Sequence, residues 1–120
     1  MKFILVPLTV IIPTIVSAQQ SKPIVVQNAY FAKAGKEKEV YEWRLHASEV
    51  REKLGLPKGR ILRRISDGSG SYIIWQCDYS SMEERKKDVD LLDRSEEFKK
   101  VQEHMNTLLD KFERTVWEVN

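Results

Sequence analysis

Arg60-Ile61-Leu62-Arg63-Arg64-Ile65-Ser66-Asp67-Gly68-Ser69-Gly70-Ser71-Tyr72-Ile73-Ile74-Trp75-Gln76-Cys77-Asp78 is the stretch that decides the fold. Its two ends, Arg60 to Ile65 and Ser71 to Asp78, are rich in β-branched and aromatic residues that suit a pleated surface. Between them Ser66 to Gly70 is dense in residues that tolerate positive φ, so the pattern predicts a β-hairpin. A turn from Asp67 to Gly70 sets Leu62 across from Trp75 and Arg64 across from Ile73. In that register Arg60 and Arg64 flank Trp75 on one face, a setting for an anionic aromatic ligand. Arg63 takes the other face. Because this is an edge strand, the same charges also serve to discourage unwanted pairing.

Upstream of the hairpin, Val40, Trp43, Ala47, Val50 and Leu54 are spaced +3, +4, +3, +4 and predict a helix over Lys36 to Leu54. Gly55 ends it, with Pro57 just beyond. Before the helix, Ile24 to Ala32, bounded by Pro23 and Gly35, reads as a first strand. Downstream, Ser80-Ser81 caps a second helix with Glu83 and Glu84 in its first turn. The helix breaks near Asp93-Arg94-Ser95, and Ser95 caps a further segment whose stripe is Phe98, Val101, Met105, Leu108 and Phe112. Glu113 to Val119 closes the chain as a fourth strand.

The order is β-α-β-β-α-β, an α+β pattern that builds a ferredoxin-like four-stranded antiparallel sheet with two helices on one face. The strands carry apolar residues at both parities, Val26 and Tyr30 against Val25 and Phe31, and Ile61 and Ile65 against Leu62. A sheet with one solvated face would alternate cleanly. The expectation is therefore a homodimer formed through the face the helices leave bare. Over residues 24–119 the element order, the two-faced sheet and the split second helix beginning at Ser95-Glu96-Glu97-Phe98 resemble the dimeric α+β barrel superfamily. Members of that superfamily include cofactor-free antibiotic-biosynthesis monooxygenases, haem-degrading monooxygenases, mutarotases and many proteins of unassigned activity. The resemblance implies a dimer and a pocket between sheet and helices; it does not imply one reaction.

The N-terminus carries a separate message. Met1-Lys2 precedes an uncharged apolar run from Phe3 to Val16, and Val16-Ser17-Ala18 offers a signal-peptidase site. Residues 1–18 thus read as a cleavable leader cut after Ala18, residues 19–23 as a polar lead-in and residues 24–120 as the folded domain. The protein is expected to be secreted or periplasmic, with no membrane attachment after cleavage. With 20 basic and 18 acidic side chains, the chain lacks the positive excess that nucleic-acid binding demands. Cys77 is the single cysteine, so stability rests on packing or self-association. It reads as a buried apolar strand residue, or else as one half of a disulfide across a dimer.

Candidate site residues come partly from the resemblance. The haem-degrading branch uses an asparagine on the first strand, a tryptophan on the third and a histidine opening the second helix. Asn28 and Trp75 stand on the matching strands, but His104 stands deep in the long helix instead of at its start. Asn28, Trp75 and His104 are the catalytic candidates. Tyr30, Trp43, Arg60, Arg64 and Tyr72 are the ligand-binding candidates. In a cofactor-free monooxygenase the substrate supplies the reducing carbanion, and a polar group such as Asn28 or Tyr72 steers a proton. His46 and His104 each border an apolar face, and no zinc-binding spacing is present. No metal and no cofactor is called for. Three functions are compatible with these residues: a dimer that binds a small apolar or aromatic molecule, a cofactor-independent or haem-handling monooxygenase, and a structural dimer without ligand.

Overall fold

The computed structural model describes residues 22–120; the expected leader and most of the polar lead-in lie outside the described residues. Along the chain run β1 (Ile24–Ala32), α1 (Glu37–Lys53), β2 (Arg60–Arg63), β3 (Ile73–Tyr79), α2 (Met82–Asp93), α3 (Glu96–Thr107) and β4 (Leu109–Glu118). The strands form one antiparallel sheet in the order β2-β3-β1-β4. This is the expected ferredoxin-like α+β architecture.

Alternation along β1 and β3 decides which face is covered. Ile24, Val26 and Tyr30 with Ile73, Trp75, Cys77 and Tyr79 form one buried row set, against which Val40 of α1 and Met105 and Leu108 of the α3 end pack. A second cluster of Ala47, Val50, Phe98 and Val101 joins α1 to α3. Cys77 lies in the helix-covered layer and is a free buried thiol. Its side chain belongs to the helix-covered core and not to the bare face of the sheet.

Local chemistry explains the helix boundaries. Gly55 takes φ 74°, the left-handed turn that ends α1. The hydroxyl of Ser81 accepts from the Glu84 amide at 3.2 Å, and that of Ser95 accepts from the Phe98 amide at 3.1 Å. Each serine satisfies one of the free donors at a helix start. The expected break at Asp93 to Ser95 is therefore a pair of capped helices, α2 and α3.

Three expectations need correction. The fourth strand begins at Leu109 instead of Glu113, so Phe112 belongs to β4 and not to the helical stripe. The long β1 is the cause, because its far end pairs with Leu109 and Lys111, and the Lys33 amide donates to the Leu108 carbonyl at 2.8 Å. The two hairpin strands are also shorter or displaced at the turn, spanning Arg60–Arg63 and Ile73–Tyr79. Finally, the hairpin register is shifted by one residue, pairing Ile61 with Trp75 and Leu62 with Ile74. A one-residue shift exchanges faces. Arg60 therefore lies on the bare face, paired with Gln76, while Trp75 faces the helices.

Candidate functional site

The site is built on α1. Val40, Arg44, Ala47 and Arg51 are spaced +4, +3, +4, and all four are buried on the side turned to the sheet. Arg44 is 4% exposed and Arg51 2%. Their guanidinium carbons lie 4.8 and 4.7 Å from the centre of the Trp75 indole ring. Arginines do flank Trp75, but they come from the helix and not from the hairpin edge.

Trp75 is held from behind. Its indole N–H donates to the Lys58 carbonyl at 3.0 Å. Gly59 follows with φ 69°, and a Cβ there would lie 2.3 Å from the indole nitrogen and 2.7 Å from the Gln76 carbonyl oxygen. Only glycine permits both the conformation and the approach.

The two buried arginines differ in their surroundings. Arg51 donates to both carboxylate oxygens of Asp88, one of them at 3.1 Å, to the Pro57 carbonyl at 2.7 Å and to the Tyr79 hydroxyl at 3.2 Å. Burial works against its charge, but the hydrogen bonds to Asp88 and the field of Tyr79 outweigh it and hold the guanidinium above its ordinary range. Among the described residues, Arg44 has only neutral hydrogen-bond partners. It donates to the Tyr30 hydroxyl at 3.2 Å and the Ser48 hydroxyl at 3.4 Å, and its Nε finds no acceptor among the described residues. Burial lowers its pKa, and Tyr30 opposes this only in part. An unpaired buried charge costs several kcal/mol, while a desolvated cation–π contact returns about 2 kcal/mol. The Arg44 charge is under-compensated.

Between these groups and the helices lies a cavity of about 290 Å³, lined by Asn28, Tyr30, Arg44, Trp75, Phe98 and Phe112 among others. That volume is at the lower end for small-molecule sites, about 300–1,000 Å³. At the β4 side, Tyr30 and Phe112 meet edge-to-face at 5.3 Å. Arg114, the cross-strand neighbour of Asn28, donates its Nε–H to the Asn28 side-chain oxygen at 2.9 Å. The lining thus combines aromatic faces with the amides of Asn28, Gln102 and Asn106, several guanidinium groups and the carboxylates of Asp88 and Asp93.

Of the residues singled out from sequence, Asn28, Tyr30 and Trp75 meet in this cavity. The others lie elsewhere. Trp43 packs on His104 and His46, with ring centres 4.1 and 5.4 Å apart, and none of the three lines the cavity. Arg60 donates twice to the Gln76 side-chain oxygen on the bare face. Arg64 stacks on Tyr72 and donates to the Ser69 and Gly68 carbonyls, closing the hairpin. No histidine or cysteine lines the cavity, so its residues do not fit haem held by an axial imidazole. Among the described residues there is also no cluster of metal-ligating side chains. Arg44, Arg51, Tyr79, Asp88 and Arg114 were missed. The +4, +3, +4 spacing that places Arg44 and Arg51 in the Val40 stripe was the available signal.

No protein-family model matches the chain. No curated relative matches it either. Solved structures do. A NIPSNAP family protein from Agrobacterium tumefaciens is 15% identical, with 82% of this chain and 87% of that one covered and a TM-score of 0.63. A dimeric protein of unknown function with a ferredoxin-like fold from Bacteroides fragilis is 11% identical, covering 81% and 96%, with a TM-score of 0.62. An antibiotic biosynthesis monooxygenase-like protein from Nitrosomonas europaea is 10% identical, covering 84% and 92%, with a TM-score of 0.61. At these identities the likeness concerns fold alone. The chain has the ferredoxin-like α+β fold that its element order implied, and the likeness to these structures is one of fold.

Proposed function

We propose that the chain is an exported homodimer in which each protomer binds one small planar, apolar or aromatic molecule between sheet and helices. The observation that carries this reading is the formed cavity of about 290 Å³ on which Asn28, Tyr30 and Trp75 converge. Aromatic faces supply contact area, and the amide and guanidinium groups supply orientation. The leader-like pattern of residues 1–18 supports export. The exposed apolar side chains of the bare sheet face, with the dimeric protein of like fold, support self-association. Catalysis is not part of the proposal, because the histidine that the haem-degrading resemblance requires lies outside the cavity.

The test is ligand-observed NMR with 2-naphthamide as a neutral bicyclic probe. Binding is expected to the wild-type protein, to be lost in Ala47→Leu, which fills the cavity, and to persist in Leu62→Ser on the bare face. Binding that ignores the Ala47 substitution, or no binding of either this probe or its carboxylate counterpart 2-naphthoate, contradicts the pocket reading.

A further inference from the structure

The cavity is electrostatically one-sided. Its walls bring in Arg44, Arg51, Arg85 and Arg114 against Asp88 and Asp93. The Arg51 charge is spent on Asp88, and Asp93 is exposed at the rim. None of the ion pairs among the described residues includes Arg44, although its side chain is almost wholly enclosed. Its contacts are two hydroxyl groups and an indole face. A desolvated guanidinium is not offset by such neutral groups, since the cation–π attraction is smaller than the desolvation cost. The Nη1 and Nη2 groups bonded to Tyr30 and Ser48 each carry a second N–H.

Resting on the pocket reading above, we infer that the ligand is a planar aromatic carboxylate whose anionic group pairs with Arg44 while its ring lies among Trp75, Tyr30 and Phe112. A carboxylate matches this guanidinium because its two oxygens accept two N–H groups in one plane. Arg114 and Asn28, bonded to each other at 2.9 Å, stand together on the sheet wall of the same cavity. The empty protein then carries an electrostatic cost that binding relieves, which is the pattern expected of a recognition residue and not of a core residue.

The experiment uses an isosteric pair, 2-naphthoate and 2-naphthamide, which differ in charge. Titration calorimetry on the wild-type protein is expected to show naphthoate bound roughly tenfold or more tightly than the amide, the size of a charge-assisted hydrogen bond. In Arg44→Gln the preference disappears while naphthamide binding remains; in Arg44→Lys part of the preference survives. A ligand-free readout accompanies this: the thermal midpoint of Arg44→Met is expected to equal or exceed that of the wild type. Equal affinity for the two probes in the wild type, or a preference that survives Arg44→Gln, overturns the anion assignment and leaves the pocket standing. Failure of both probes to bind overturns the pocket reading and this inference with it. A sharp fall in the midpoint of Arg44→Met also counts against the inference, because it would make Arg44 an ordinary stabilising core residue.

Discussion

Arg44 and Arg51 lie two turns apart on one helix face, and their different partners predict opposite responses to substitution. Arg51 and Asp88 form a buried pair with every major donor used. Removing either member strands the other charge, so Arg51→Met and Asp88→Leu are each expected to cost about 3–5 kcal/mol. The double variant should recover most of that loss, because an apolar pair of similar volume avoids desolvation altogether. Urea denaturation of the three variants measures the coupling, and additive losses would contradict it. Cys77 and Tyr79 give a pH prediction. Burial pushes both above their ordinary values of 9.0 and 10.0, with Arg51 opposing the shift at each. In the native state both keep their protons where the unfolded chain has begun to release them. Above about pH 9 the native state therefore holds more protons than the unfolded state, and stability falls as pH rises. The thermal midpoint should decline from about pH 9 upward. Cys77→Ala should delay the onset of that decline, and an unchanged profile in that variant would contradict the assignment.

At the scale of elements, the break between α2 and α3 depends on a single side chain. The Ser95 hydroxyl satisfies the Phe98 amide, and Phe98 in turn anchors α3 against Ala47 and Val50. Ser95→Ala should cost about 1 kcal/mol, and hydrogen exchange should show the first turn of α3 opening before the rest. Uniform exchange along α3 would contradict a capping role. This break was legible in the sequence because a serine followed by two glutamates and a phenylalanine carries its own chemistry. The start of β4 was not legible. Phe112 lies four residues after Leu108 and so continues the helical stripe, but it equally fits the strand in which Tyr30 meets it. Only the length of β1, a non-local fact, decides between them. The hairpin register failed for a related reason. The loop is closed by Arg64 reaching back to the Ser69 and Gly68 carbonyls, a contact that turn composition does not encode. Part of the site was legible: Asn28 and Trp75 stand on the strands that the resemblance implied, and Tyr30, two residues after Asn28, shares its face. Arg44 and Arg51 were hidden because arginine normally marks a solvated face, even though their spacing matches the buried stripe.

Across the whole molecule, the two faces of the sheet differ in what covers them. The covered face holds the cavity. The bare face alternates in rows: Arg60, Gln76, Gln27 and Thr115 form a polar row, beside which run Leu62, Ile74 and Ala29, with Glu113 at the β4 end. Further rows pair Phe31 with Lys111 to one side and set Val25 between Asp78 and Trp117 to the other, and Trp117 is 56% exposed. The bare face thus sets apolar side chains beside charged ones, and its exposed apolar groups are what the proposed self-association would cover. No helix among the described residues is long and apolar enough to cross a membrane. The central claim is a two-faced sheet, one face holding a small molecule and the other a second copy of the chain. It is tested most directly by native mass spectrometry of the protein expressed with its own N-terminus and purified from the cell envelope or medium. The account predicts a species of twice the mass of residues 19–120 with a small acidic molecule bound to each protomer; a bare monomer would contradict it.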